Sequence, residues 1–348
     1  MRQLSAHAEI VKLLLAKEQE AQITQAATFA GAEFIDVAVP PLERTAPSLP
    51  LHLLLGAIAG LAAAFGLSLA KETFARGIFT SAELEAVTGL SVVGTIPDFR
   101  RGRYKVRGAS ERFVPLRDDP EGVIAEAYRS MRANLKFAFS AGREVRAIAA
   151  TSCTEGEGKT STNLSLAMTF ARSGRRVVLV NCDMRKPSVE KLLGLELTPG
   201  LSDVLAGKTS WREVVRCGVA EKLDVLTAGA QPESPSDLLD SQTFTDLLAE
   251  LEREYDLVVC DVPPAMAVAD IESCAARLDA LLLVVRTDRA PAHVVERTTR
   301  LLRQTGANLI GAVLLGVGNT LANGKYGYDY GYGHRDGNTS GERERDAG

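Results

Sequence analysis

The sequence predicts an α/β fold with a mostly parallel sheet flanked by helices, preceded by one transmembrane helix. Three observations carry this. Beyond about Glu121, short apolar runs alternate with stretches of helical periodicity, the order produced by parallel strands joined through helical crossovers. The first of those runs passes into a glycine-rich loop and then a helix. Upstream, Leu51 to Ala70 reads LHLLLGAIAGLAAAFGLSLA, twenty residues without Asp, Glu, Lys or Arg, which as a helix span about 30 Å, one bilayer crossing.

Composition narrows the classes. The 348 residues leave room for about two domains. At 46% hydrophobic and 24% charged residues the chain is an ordinary globular protein rather than a disordered, fibrous or multi-spanning one. A net charge of -4 gives no general attraction to nucleic acid, and none is expected as a partner. The five cysteines (Cys153, Cys182, Cys217, Cys260 and Cys274) are odd in number and lack CxxC spacing, so neither a zinc site nor a disulfide framework is indicated. A reducing compartment suits them.

From the N-terminus, residues 4 to 29 place apolar residues at helical spacing among Lys, Glu and Gln, predicting a surface or coiled-coil helix, and Glu33 to Val39 reads as a short strand. Pro40, Pro41, Pro47 and Pro50 make an extended approach to the apolar span. A buried core helix is the competing reading of that span, but such helices seldom run so long without a charge. Four Lys/Arg precede it in residues 1 to 50 and eight follow in residues 71 to 112, which sets the C-terminal side in the cytoplasm. Gly56 and Gly60 form a GxxxG, a weak signal in a Gly/Ala-rich helix. Thr80 and Glu83 have capping-box spacing for a short helix. The basic run from Arg100 to Arg112 reads either as a linker near anionic lipid or as a solvated loop.

The expected strands are Val145–Ala150, Arg176–Asn181, Leu223–Leu226, Leu257–Asp261, Ala280–Arg286 and Leu309–Leu315. Ligands of such sheets sit beyond the carboxyl ends of the strands. After the first comes TSCTEGEGKTS, and Thr154, Glu155, Gly156, Glu157, Gly158, Lys159, Thr160 and Ser161 form the candidate nucleotide-binding run. Small residues let backbone N–H groups wrap phosphates, Lys159 suits the outer phosphates, and Thr160 offers a hydroxyl to Mg²⁺. Cys153 stands where the GxxxxGK[ST] pattern has its first glycine. The second strand ends in NCDMRKP and the fourth in CDVPPAMAVAD. A carboxylate after a hydrophobic strand can hold Mg²⁺, so Asp183 and Asp261 join Thr160 as candidate metal residues, with helix N-capping the rival role.

These residues resemble a known family. EGEGKTS, NCDMRKP, LVVCDVPP and the upstream EAYRSMRANL together look like bacterial tyrosine kinases (BY-kinases) of the polysaccharide co-polymerase or chain-length regulator type, over residues 36 to 332. The resemblance implies a P-loop NTPase fold with three ATP motifs, here Cys153–Thr160, Val177–Arg185 and Leu257–Asp261. It further implies an ATP- and Mg²⁺-dependent tyrosine autokinase in the inner (cytoplasmic) membrane, N-terminus outside and kinase domain in the cytoplasm. Lys159, Asp183 and Asp261 would be the catalytic residues. Implied partners are further copies in a ring, the machinery of capsular or exopolysaccharide polymerisation and export, and a tyrosine phosphatase. Tyr326, Tyr328, Tyr330 and Tyr332, four of seven tyrosines in the chain, match the family's autophosphorylation tail; a sticky low-complexity tail is the bland alternative. Glu126, Arg129 and Arg132 match its oligomerisation motif and share a helix face, where simple solvation is the rival reading.

Two departures matter. The family usually has Asp at the first acidic position of the second motif, where this chain has Asn181, which keeps the shape but cannot act as a base. Weakened rather than absent activity is expected, with a nucleotide-binding scaffold that has lost kinase activity as the alternative. The last strand carries Leu315 where relatives often have Asn for adenine. Positioning ATPases of the partition or division-site type share the fold but carry a Lys five residues before the invariant one; Thr154 stands there. The expected segments are 1–50, the end of an extracytoplasmic co-polymerase domain; 51–70, the transmembrane helix; 71–118, a basic linker; 119–318, the kinase domain; and 319–348, a flexible tyrosine tail. Residues 1–50 match only the last part of the family's external domain, leaving open a truncated gene, a mis-assigned start and a shortened natural form.

Overall fold

The computed structural model describes residues 2–29, 49–74, 77–98, 106, 113–140, 144–266, 270–287 and 289–318. The chain divides into two compact units, Met1–Ala70 and Lys71–Gly348. The first holds the Arg2–Phe29 helix and all but the last four residues of the Leu49–Phe74 helix. Within the second helix the Pro50–Leu67 window has a mean hydropathy of 1.8 and none of it is buried, so the helix is long and apolar enough to cross a membrane. Pro50, expected in the extended approach, lies instead in the first helical turn, where a missing N–H costs nothing. The expected strand at Glu33–Val39, the rest of the proline approach and most of the basic run lie outside the described residues.

The second unit is built on an eight-stranded sheet: β1 (Val92–Pro97), β2 (Ala147–Ser152), β3 (Val177–Asn181), β4 (Arg216–Ala220), β5 (Leu223–Leu226), β6 (Leu257–Asp261), β7 (Ala280–Arg286) and β8 (Leu309–Val317). Their spatial order is β1-β8-β7-β2-β6-β3-β5-β4. Every neighbouring pair is parallel except β4 with β5. All six expected strands are present. The sequence reading did not identify β1 or β4. β1 lies in the stretch read as linker and pairs with β8 far along the chain; β4 is partly exposed and antiparallel. Both are edge strands, where one side of the ladder is open and the apolar signal is weak.

The central strands are buried on both faces and read as near-continuous Val/Leu/Ala runs for that reason. Alternate residues serve opposite layers: Ala147 and Ala149 join one core, Ile148 and Ala150 the other. The first layer is closed by the Ser81–Thr88, Gln242–Glu254 and Ala292–Gln304 helices, the second by the Val123–Ser140 and Lys159–Arg172 helices. The expected capping box forms: Thr80 Oγ1 accepts from Glu83 N–H at 3.2 Å, and Glu83 Oε2 accepts from Thr80 N–H at 3.2 Å. Because β6 lies between β2 and β3, the segments following these three strands converge at one end of the sheet.

Candidate functional site

β2 runs through Thr151 and Ser152 into the glycine loop, and the Lys159–Arg172 helix begins directly after it. Gly156 has φ +79° and Gly158 φ +101°, a region that side chains with a Cβ rarely occupy. At Gly158 a Cβ would sit 2.7 Å from Leu315 Cδ1. Leu315, singled out in connection with adenine, thus packs beneath the glycine loop, 7% exposed. The loop delivers its backbone to the N-terminal, electropositive end of a long helix, where the first N–H groups lack intrahelical partners. Thr154, Glu155 and Gly156 are exposed. Glu157 is different: its side chain is enclosed, and its Oε1 accepts from both Thr154 N–H and Thr154 Oγ1–H at 2.6 Å. Burial pushes its carboxyl above the ordinary range. Its contribution to an anion cradle is therefore through the backbone.

Lys159, Thr160, Asp183 and Asp261 come together from three segments. Lys159 Nζ lies 2.8 Å from Asp183 Oδ2 and 3.8 Å from Asp261 Oδ1. Thr160 Oγ1 donates to Asp261 Oδ2 at 2.8 Å. Asp261 is fully buried, and burial pushes its carboxyl above the usual carboxylate range against the opposing pull of Lys159, Asn163 and Thr160. For Lys159, burial works to lower the pKa, but Asp261 and Asp183 outweigh it and hold the ammonium above its ordinary value. Asp183 Oδ1 also accepts from Lys186 N–H at 3.0 Å. One ammonium thus faces two enclosed carboxylates, leaving an excess negative charge.

The donor set fits Mg²⁺ with a nucleotide. A hydroxyl and two carboxylates are hard oxygen ligands, and Mg²⁺ keeps waters and takes phosphate oxygens rather than a full protein cage. No group of three or more His, Cys, Asp or Glu placed to hold a metal occurs among the described residues.

The sequence reading missed three residues that shape the site. Asn163, one turn after Thr160, donates to Asp261 Oδ1 at 2.9 Å, and its amide also bonds both the N–H and the C=O of Ala150. Ser188 Oγ donates to Thr160 Oγ1 at 2.9 Å. Glu190 holds Asn181, whose Nδ2 lies 2.9 Å from both of its carboxylate oxygens. Helical spacing from Thr160 could have pointed to Asn163; nothing in the sequence alone distinguishes Ser188 or Glu190. On the Val123–Ser140 helix, Arg129 bonds Glu126 and the Pro120 carbonyl within its own chain, while Arg132 Nε is buried without a hydrogen-bond partner among the described residues. The four tail tyrosines lie outside the described residues.

Comparison with known proteins places this arrangement. A family model described as an AAA domain matches residues 145–305. The tyrosine-protein kinase YwqD of Bacillus subtilis is 35% identical over 67% of this chain and 96% of its own length. The putative tyrosine-protein kinase EpsB of Ralstonia solanacearum is 33% identical over 95% of this chain but 44% of its own length, so the chain spans less than half of that relative. Among solved structures, the kinase domain of the Escherichia coli tyrosine kinase ETK superposes with a TM-score of 0.63 at 31% identity, covering 74% of this chain and 100% of that domain. The fold is that of a P-loop NTPase, and its family relationship implies nucleotide binding. With the glycine loop, the lysine and the two strand-end carboxylates in place, the chain belongs to the bacterial tyrosine kinase (BY-kinase) family.

Proposed function

We propose that this protein is a membrane-anchored, ATP- and Mg²⁺-dependent tyrosine autokinase that regulates capsular or exopolysaccharide polymerisation and export. The observation carrying the proposal is the Lys159 ammonium set between Asp183 and Asp261 at the mouth of the glycine loop. The residues divide the work. The glycine-loop N–H groups bind phosphate oxygens; Lys159, drawn from Asp183 by the more negative phosphates, neutralises charge on the transferred group. Thr160, Asp261 and Asp183 would hold Mg²⁺, which when bound offsets the charge of the outer phosphates. Asn163 fixes the Asp261 carboxylate so that it need not reorganise. Oligomerisation through the Glu126, Arg129 and Arg132 face would bring one copy's tail, with Tyr326, Tyr328, Tyr330 and Tyr332, to the site of the next. Each phosphate would add about -1.5 to -2 charge and expel the tail by repulsion. The single span Leu51–Ala70 would anchor the kinase domain, residues 119–318, on the cytoplasmic side.

A second reading is a co-polymerase scaffold that binds nucleotide without transferring phosphate. It is favoured by Asn181, whose amide is enclosed and fully engaged and so offers no base. Incubation of the chain with ATP and Mg²⁺ followed by mass spectrometry separates the two. The kinase reading expects phosphate on the tail tyrosines, absent in Lys159→Met. A tail free of phosphate, with nucleotide still bound, selects the scaffold.

A further inference from the structure

Behind the proposed nucleotide site lies a second enclosed carboxylate that the mechanism does not use. Glu190, in the short Val189–Leu193 helix, is 4% exposed, and Asn181, at the end of β3, is fully buried. Asn181 Nδ2 donates to Glu190, lying 2.9 Å from Oε1 and from Oε2. Glu190 Oε1 also accepts from Ala228 N–H at 2.8 Å, just beyond β5. The other end of the amide points the opposite way: Asn181 Oδ1 accepts from Asp183 N–H at 3.1 Å. These partners fix the orientation of the amide, because turning it over would set oxygen against carboxylate and NH₂ against N–H. A continuous chain of polar contacts therefore runs from Glu190 through Asn181 to the backbone of Asp183, and from the Asp183 carboxylate to Lys159.

We propose that Glu190 is a positioning residue for Asp183, and that Asn181 and Glu190 act as one amide–carboxylate unit. The acid and the amide in this unit can exchange places, but neither can be changed alone. The inference rests on the nucleotide-site reading above. A lone Asn181→Asp change would set an oxygen of one carboxylate 2.9 Å from both oxygens of another, and like charges so close and dry repel strongly. A lone Glu190→Gln change keeps Oε1 as the acceptor for Ala228 and for one N–H of Asn181 but removes the negative charge and sets an NH₂ where Oε2 accepted from Asn181, donor against donor. The double exchange restores one donor, one acceptor and one negative charge. The position where the family usually carries Asp thus holds Asn with its acid moved next door, so restoring that Asp alone weakens the site.

Calorimetric titration of ADP with Mg²⁺ into the full chain in detergent micelles, at 25 °C with the fold checked by circular dichroism, tests this. Asn181→Asp and Glu190→Gln are each expected to weaken binding about tenfold or more, as losing a charge-assisted hydrogen bond does. The Asn181→Asp/Glu190→Gln pair is expected to bind within about threefold of wild type, the coupling expected of residues in contact. Glu190→Gln should add little in an Asp183→Asn background, which a purely structural Glu190 would not predict. If Asn181→Asp does not fold, the comparison of Glu190→Gln with the double exchange decides. The inference is overturned if Asn181→Asp binds as well as wild type, if the pair binds no better than Glu190→Gln, or if Glu190→Gln costs the same without Asp183. A wild-type chain that takes up no ADP overturns the nucleotide reading and this inference with it; normal uptake by wild type and every variant overturns this inference alone.

Discussion

Replacing Lys159 by Met removes one charge while nearly keeping the side-chain volume, and the nucleotide-free protein should register the loss before any activity is measured. The ammonium stands 2.8 Å from Asp183 and 3.8 Å from Asp261. The exposures of the three side chains are 10%, 4% and 0%, so water screens this cluster little. Removing the cation leaves two enclosed carboxylates without a counter-charge. Breaking a buried pair in this way costs about 3–5 kcal/mol. For a unit of about 150–250 residues each kcal/mol shifts Tm by about 2–4 °C, so Lys159→Met should melt about 10 °C below wild type at pH 7 without nucleotide. Adding Asp183→Asn should recover about half of that, since one of the two uncompensated charges is then gone. Thermal unfolding by circular dichroism reads both. A Lys159→Met Tm within about 2 °C of wild type would refute the argument that this lysine neutralises the two carboxylates.

Other consequences are independent of that one. Because the carboxylates hold the Lys159 pKa above its ordinary value, its contribution is complete below the unfolded lysine pKa of about 10.4 and is lost as pH rises through the raised folded value. The stability gap between wild type and Lys159→Met should therefore be flat from pH 7 to about 10 and close only above it, as measured by denaturant unfolding across that range. Four cysteines are buried and Cys217 is exposed, while burial, followed by the nearby Glu157, pushes the Cys153 thiol up to about 12. An aromatic disulfide reagent should accordingly titrate one thiol per native chain and five in denaturant. Gly158→Ala should destabilise by about 1–3 kcal/mol and weaken ADP binding, since the position needs φ +101° and its Cβ would meet Leu315. Adding Leu315→Ala should relieve the contact but not the backbone strain, so recovery is partial.

What the sequence makes legible follows from what local pattern can encode. The six strands read from the sequence lie in the interior of the sheet and are largely buried, so their apolar runs stand out, as does the glycine loop that leads into a helix. Thr160, Lys159, Asp183 and Asp261 were found by position after those strands, and the fold brings them within hydrogen-bonding or ion-pair reach. β1 and β4 were missed because these edge strands are only partly buried and their apolar signal is weak. Glu190 was missed for a different reason: a Glu in the first turn of a five-residue helix reads as a solvated charge, and only the packing of that helix between the ends of β3 and β5 turns it inward. Asn181 was read as a residue that keeps the shape of Asp but cannot act as a base, yet its role depends on a neighbour nine residues away whose burial no periodicity announces.

The most direct measurement of the account is equilibrium binding of ATP to the purified full chain, with and without Mg²⁺. The geometry of Lys159, Thr160 and Asp261 predicts uptake of one nucleotide per chain, strengthened by Mg²⁺ and lost in Lys159→Met. No uptake of ATP in the presence of Mg²⁺ would contradict it.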